Sequence, residues 1–510
     1  MNEHSRCPYR FLGLVALWLA VLGVACATDT APDLVLHGQL TGSDIHTYRE
    51  VPFDVPVGVN RITVQFEYSG REEHTAIDLG LEDPQGFHGP QGLRGWTGGS
   101  KRLFTVGTVD ATPSFSPGPI EPGRWHLLLG IPNIRPASTS DYTAKIWFGH
   151  PGDPAWLPAV LNPPLRAGAG WYRGDLHMHG AHSDGSCKSM SGDARVPCPL
   201  SLTVEDAARR GLDFIALSDH NAVSQANDIR ELQPYYDRLL LIPSREVTTF
   251  QGHGNLLGSS EPLDFRLGSK GVPDWNALLT QAETLHGVFS INHPIRPNDE
   301  RCMGCGWTPT QPVDMHRVQA IEAVNGMDSL SPIFSGIAFW QEQLNKGFHL
   351  TGIGGSDSHD ARLPLPTPGG STPIGIPTTV VHASELSMQA IVEAIRAGHV
   401  YIDTQGKPDR SFDFVAAVDG HVAEMGDVLR APRGSTVQVT MHAKGMAGAH
   451  AEIIVDGKVV QPKGDLAIHG ADQALSFAWS GDGKRHWLRA NVRAADGTLL
   501  IVGNPVYLND

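Results

Sequence analysis

Long apolar runs are scarce in this 510-residue chain. One spans Phe11 to Val24, short for a stable membrane span, and no later segment is long enough to cross a bilayer. Charged residues make up only 18%, there is no basic run, and the formal charge is −15, so the surface repels phosphate backbones and argues against nonspecific nucleic-acid binding. Long helical stretches are lacking too. With 57 Gly and 37 Pro the chain is cut into short elements, which argues against a coiled coil or a helical array. Cysteine is sparse, at six.

What is there begins with a leader-like segment. Arg6 and Arg10 precede the apolar run, and Ala25-Cys26-Ala27 offers small residues around a cleavage position, so residues 1–27 read as a signal peptide of a periplasmic or secreted protein. Cys26 gives a rival reading as a lipoprotein anchor, against which Leu22 stands four residues before it rather than three. After processing, Cys187, Cys198, Cys302 and Cys305 remain, an even number that favours disulfides in an oxidising compartment. The expected pairs are Cys187 with Cys198 and Cys302 with Cys305, with a single four-cysteine zinc site as the alternative.

The length suggests roughly three domains. Residues 28–150 alternate apolar and polar in short runs such as Arg61 to Tyr68 and Tyr142 to Phe148, the pattern of a β-sandwich or jelly roll with an accessory role. Residues 151–170 carry five prolines and read as a linker. From Trp171 a helix, a glycine and a buried strand follow one another repeatedly. Val204 to Arg210 (capped by Thr203), Asp274 to His286, Pro332 to Lys346, and a helix capped by Ser384 stop at Gly211, Gly287, Gly347 and Gly398. This predicts an α/β barrel or open sheet over 171–403, with its chemistry beyond the carboxyl ends of the strands. Residues 404–510 return to alternation and predict a second small sandwich, with Asp456-Gly457-Lys458 as a hairpin turn.

Chemistry-bearing residues gather where those strands end. In Asp175-Leu-His-Met-His179, alternation puts His177 and His179 on one face, and the turn after Gly180 returns Asp184 toward them. A lone His-x-His is equally a strand end with surface histidines. Here it is followed by Asp219-His220, Glu246, His253 with Asn255, His293, and Asp357-Ser-His359. About nine His, Asp and Glu residues at successive strand ends are too much polarity to bury without a metal. Asp219 is a candidate carboxylate beside a ligand. Arg245 and Arg296 are candidates to grip a substrate anion, with Asn255 and Asn292 as further candidates.

These motifs, Asp175-Leu-His-Met-His179 with Asp184, Ser218-Asp-His220, Glu246, His293-Pro294 and Gly355-Ser-Asp-Ser-His359, resemble those of the polymerase-and-histidinol-phosphatase (PHP) domain metallohydrolases. Glu246-Val-Thr-Thr249 and Gly252-His-Gly-Asn255 look most like the branch that includes carbaryl hydrolases. The resemblance covers about residues 171–402. It implies a distorted seven-stranded βα barrel, here flanked by two β-sandwiches, holding two or three divalent ions of zinc, iron or manganese. It implies that His177, His179, Glu246 and Asp357 hold one ion, that Glu246 bridges to a second completed by His253 and His293, and that Asp184, His220 and His359 hold a third. Asp184 stands where many members have histidine.

The function expected is a secreted metal-dependent hydrolase, a phosphoesterase acting on a small-molecule ester, with Glu246, Asp184, His220 and Asp219 as its catalytic groups. The alternatives are a carboxylester or carbamate hydrolase on the same site and, from another class, a cell-surface binding protein with structural metals whose sandwiches contact glycans. An amidohydrolase barrel also begins with His-x-His, but no strand-end lysine is present to bridge its metals.

Overall fold

The computed structural model of the protein describes residues 30–87, 89, 92–300, 302–326, 335–363 and 372–510. The leader-like segment, its cleavage position and Cys26 lie outside them, as does the start of the helix expected from Pro332. Among the described residues no helix is long and apolar enough to cross a membrane.

Alternating side chains build the first part of the chain. In Arg61–Tyr68, Ile62, Val64 and Phe66 are fully buried between polar neighbours, the pattern of a strand with one face in a core. Two four-stranded antiparallel sheets face each other over that core. One runs Leu34–Thr41, Thr139–Gly149, Arg61–Tyr68, Leu103–Gly107, and the other Tyr48–Val55, Gly123–Asn133, Ala76–Glu82, Leu93–Trp96. Of residues 151–170, the last five are already part of the strand Arg166–Asp175.

A 15-stranded mixed sheet forms the rest of the frame. Parallel pairing joins Arg166–Asp175 to Phe214–Leu217 and that strand to Leu240–Thr249, and it returns between Val288–Ile291, Ala320–Asn325 and Thr351–Gly355. Between these sets the direction reverses. Leu240–Thr249 turns through two residues into Gly252–Leu257, which pairs antiparallel with it and with Val288–Ile291. Thr378–Leu386 is antiparallel to Arg166–Asp175. The sheet curls until Met178 and Ser358 pair in parallel, so the strand ends that follow Asp175 and Gly355 meet.

The seven-stranded βα barrel that the family resemblance implies is therefore not the fold. The chain is mostly β, 41% strand against 12% helix, and five helices among the described residues are too few for a sevenfold βα repeat. The helix–glycine–strand units that suggested it do exist, and Gly347 and Gly398 stop their helices at φ 106° and 85°, which favour glycine. A βα repeat requires a helix between Glu246 and His253, whereas the two residues lie on the arms of one hairpin with no helix between them. Two caps also differ. Thr203 lies inside the helix Leu200–Arg209, and Ser387, not Ser384, caps Met388–Ala397 by accepting from the Ala390 N–H at 3.2 Å. Asp274 does cap its helix, which ends at Glu283.

The sheet continues past Asp403. Leu499–Gly503 pairs antiparallel with Val400–Asp403 and carries the sheet on to His486–Arg493 and His450–Val455. Asp456 and Gly457, both at positive φ, form the hairpin turn into Lys458–Val460. The disulfides are Cys187–Cys198 and Cys302–Cys305.

The first pair of sheets is locked to the large one through Asp110. Its buried carboxylate accepts from Arg61 Nη2 at 2.6 Å and from Arg230 Nε, on the helix Gln225–Leu232, at 2.9 Å. Burial pushes this carboxyl up, but the two guanidiniums outweigh it and hold the pKa well below the usual carboxylate range. A depressed folded pKa contributes stability that is present above the unfolded value of about 3.9 and is lost as pH falls through the folded value. Asp110→Asn should thus lower stability to urea by about 3 kcal/mol at pH 7, with a deficit that shrinks below about pH 4.

Candidate metal centre

One buried carboxylate organises the strand ends. Glu246, in Leu240–Thr249, is 1% exposed. Its Oε1 lies 3.3 Å from His177 Nε2, 3.4 Å from His253 Nδ1 and 3.2 Å from His293 Nε2. Its Oε2 lies 2.8 Å from His220 Nδ1 and 3.7 Å from His179 Nε2. Asp357 Oδ1 approaches His177 Nε2 at 3.4 Å, His179 Nε2 at 3.2 Å and His359 Nδ1 at 3.7 Å. On the outer side Asp184 Oδ1 sits 3.6 Å from His220 Nε2 and 3.4 Å from His359 Nε2. The cluster opens there, because the Asp184 side chain is 61% exposed.

The backbone is bent to make this convergence. His293 and Asp357 take positive φ, 26° and 52°, which is strained for residues with a Cβ and is held only where surrounding contacts over-determine it. Asp175 supplies such contacts: its carboxylate accepts from the N–H groups of His177, Ser356 and Gly375 at 3.2, 3.0 and 2.7 Å. A side chain at Gly355 would strike the His177 Cβ and come within 2.8 Å of Glu322 Oε1, so glycine lets that strand pack against the base of His177.

Hydrogen bonds also select which ring nitrogen faces inward. His177 Nδ1–H donates to Glu322 Oε1 at 3.0 Å, His293 Nδ1–H to the Cys305 carbonyl at 3.3 Å, and His359 Nδ1–H to the Asp357 carbonyl at 2.9 Å. Each acceptor can only accept, so in the neutral form of each ring the proton stays on Nδ1 and Nε2 is left to face the cluster as a ligand atom. Asn292 Nδ2 donates to Glu246 Oε1 at 2.9 Å and to Asn255 Oδ1 at 2.9 Å, and Asn255 is tied to the Leu176 carbonyl.

The charges in this cluster are strongly coupled. Burial opposes ionisation of Glu246 and Asp357, yet the surrounding histidines, His177 foremost, hold both well below the usual carboxylate range. Burial also disfavours a charge on His177, but Asp357, Glu246 and Glu322 outweigh it and raise its pKa. His220 rises to about 9, with burial opposing and the Glu246 hydrogen bond prevailing. Burial and the neighbouring His359 push His179 down to about 4.

The donor set fits divalent ions. Buried and without hydrogen-bond partners are His177 Nε2, His179 Nε2 and both nitrogens of His253. Leaving so many polar atoms unsatisfied is costly unless a cation takes them. Ligand atoms lie within 4.8 Å of one another in three sets that suit such an ion: His177, His179 and Glu246; His177, His293 and Asp357; and His179, Asp184, His220 and His359. A fourth set, His253 and His293 with Cys305, lacks a thiolate, because Cys305 is in a disulfide.

Of the residues singled out in the sequence, the structure brings His177, His179, Asp184, His220, Glu246, His253, His293, Asp357 and His359 together. Asp219 lies behind them: its Oδ1 accepts from the Gly180 N–H and the Ser183 hydroxyl, both at 2.8 Å, and so holds the loop that carries Asp184. Arg245 is not in the cluster. It donates to the Glu261 carbonyl, and burial pushes its guanidinium down to about 10. Arg296 donates to Asn325 Oδ1, and Asn325 Nδ2 reaches Asp357 Oδ2 at 3.3 Å. Asn255 is buried beneath Glu246 rather than at the opening.

Sequence reasoning missed Glu322. Its Oε1 holds His177, and its Oε2 accepts from the His293 N–H at 2.9 Å and from Asn325 Nδ2 at 3.0 Å. The signal was a glutamate inside the otherwise apolar run Ala320-Ile-Glu-Ala-Val324, where a buried carboxylate needs a partner.

No family profile and no curated protein matches this chain. Among solved structures it is similar to a two-domain protein from Bacteroides vulgatus containing a predicted PHP-like metal-dependent phosphoesterase, at 19% identity and a TM-score of 0.36, over 66% of this chain and 96% of that one. It is also similar to the CARDB domain of a Pyrococcus furiosus protein, at 12% identity and a TM-score of 0.15, over 20% of this chain and 94% of that one. At these values the function is read from the site's own geometry.

Glu322→Ala should weaken divalent-metal affinity about 10- to 100-fold by freeing the His177 ring, as measured by competition with a chromophoric chelator. Glu322→Gln, which can still accept at its amide oxygen, should lose less.

Proposed function

We propose that this protein is a metal-dependent hydrolase that cleaves phosphoester bonds in small molecules. The observation that carries the reading is the set of Nε2 atoms on His177, His293 and His359, each aimed inward by an acceptor at Nδ1, around the Glu246 and Asp357 carboxylates, with His179 Nε2 and both His253 nitrogens left buried without hydrogen-bond partners. A structural zinc takes four ligands and closes its shell. Nine converging donors with one open side exceed that need and argue against a binding protein with a structural metal.

Two or three divalent ions of zinc, iron or manganese in this shell would supply electrophilic charge and an activated water. The chain's own part is positional. Glu246 and Asp357 lie between the imidazole groups and supply the negative charge that would hold neighbouring cations together. Asp184, His220 and His359 line the open side, where an ester arriving from solvent would first make contact. Asp219 fixes the Gly180–Ser183 loop behind them. Arg296, linked to Asp357 through Asn325, would place a cation near a bound anion, which favours a phosphoester over a neutral ester. A carboxylester or carbamate hydrolase on the same residues is the second reading, supported by the resemblance of Glu246 to Thr249 and Gly252 to Asn255 to the carbaryl-hydrolase branch. The leader-like N-terminus favours action in the periplasm or outside the cell.

The test is hydrolysis of p-nitrophenyl phosphate, bis-p-nitrophenyl phosphate and p-nitrophenyl acetate with and without manganese or zinc, beside Glu246→Ala. Metal-dependent release from a phosphate ester, reduced to background in the variant, is the expected result. Release from acetate alone would shift the assignment to carboxylesters, and no turnover by folded, metal-loaded protein would contradict it.

A further inference from the structure

A second cluster of metal-ligand type lies on the first pair of sheets and shares no residue with the Glu246 site. Along Gly123–Asn133, Trp125, Leu127, Leu129 and Ile131 point into the core, so His126 and Leu128 face outward. Glu82 pairs directly with His126 on one side, and Pro52 pairs with it on the other. Glu50, two residues before Pro52 in its strand, shares that outward face. Three neighbouring strands thus present Glu50, His126 and Glu82 together, with one ligand atom from each lying within 4.8 Å of the others.

Glu82 makes this more than a patch of acidic surface. It is 4% exposed, and its carboxylate has no hydrogen bond or ion pair with the described residues. With little of its side chain in contact with water and Glu50 beside it, desolvation and repulsion both work against its charge, and His126 offsets only part of this. A divalent cation removes both costs. The rigid pairing of three strands also sets the donors in place without any loop having to order around the ion.

We propose that Glu50, Glu82 and His126 form a divalent-metal site. One imidazole and two carboxylates suit zinc or manganese, whereas calcium and magnesium favour shells made of oxygen alone. Three protein donors leave a coordination position for water or an outside ligand.

The experiment is zinc stoichiometry of the full chain. Chelator-stripped protein is reloaded with zinc, freed of excess by gel filtration and assayed by elemental analysis, for wild type, His126→Ala and Glu82→Gln. The expected result is one zinc fewer per chain in both variants, with the metal-dependent ester turnover of the wild type retained. Glu82→Gln is nearly isosteric, so it keeps the test valid if His126→Ala does not fold. Equal zinc content in wild type and folded Glu82→Gln would overturn the proposal. So would a loss of zinc that brings a matching loss of turnover, because the missing ion would then belong to the Glu246 site.

Discussion

The Glu246 carboxylate is the constraint on which the central part of this protein depends. A charge buried to this degree is tolerated only when it is paired and hydrogen-bonded. Five imidazoles and the Asn292 amide converge on its two oxygens from four separate segments of the chain. The surrounding fold can be seen as what brings those segments to one point. The 249–252 hairpin returns His253 beside Glu246, the curl of the sheet brings the Asp175 and Gly355 ends together, and positive φ at His293 and Asp357 turns their side chains inward.

The strand carrying Glu246 also ties the site to the rest of the molecule, because adjacent residues face opposite ways. Arg245 donates to the Glu261 carbonyl, while the Glu261 carboxylate accepts from Asn60 at 3.1 Å and lies 4.0 Å from Arg61. Arg61 in turn pairs with Asp110, which reaches Arg230. A chain of buried polar contacts thus runs from the first pair of sheets to the residue beside the central carboxylate. The N-terminal sheets therefore brace the back of the metal centre.

The candidate site was more legible in the sequence than the frame that holds it. Ligand-type residues cannot be buried without a partner, so His177, His179, Glu246, His293 and Asp357 stand out wherever strands end, and the spacing of His177 and His179 alone gives their shared face. Strand direction leaves a weaker trace. Gly252-His-Gly-Asn255 reads the same at the end of a parallel strand as in a hairpin arm, and that ambiguity turned a mixed, mostly β sheet into an expected βα barrel. Glu322 and Asp175 went unread for a related reason: each acts by gripping the backbone or ring of a ligand, and only the folded contacts reveal that role. Arg245 shows the converse error. Adjacency to a ligand in sequence implies the opposite face in a strand, and its guanidinium lies with Glu261 instead.

The most direct test of the account is anomalous diffraction at the metal absorption edge from metal-loaded crystals of the full chain. The account predicts at least two ions about 3.5–4 Å apart with the Glu246 carboxylate between them, the spacing of two-metal hydrolytic sites. A single ion closed in by four protein ligands, or no ion within bonding distance of Glu246, would contradict it.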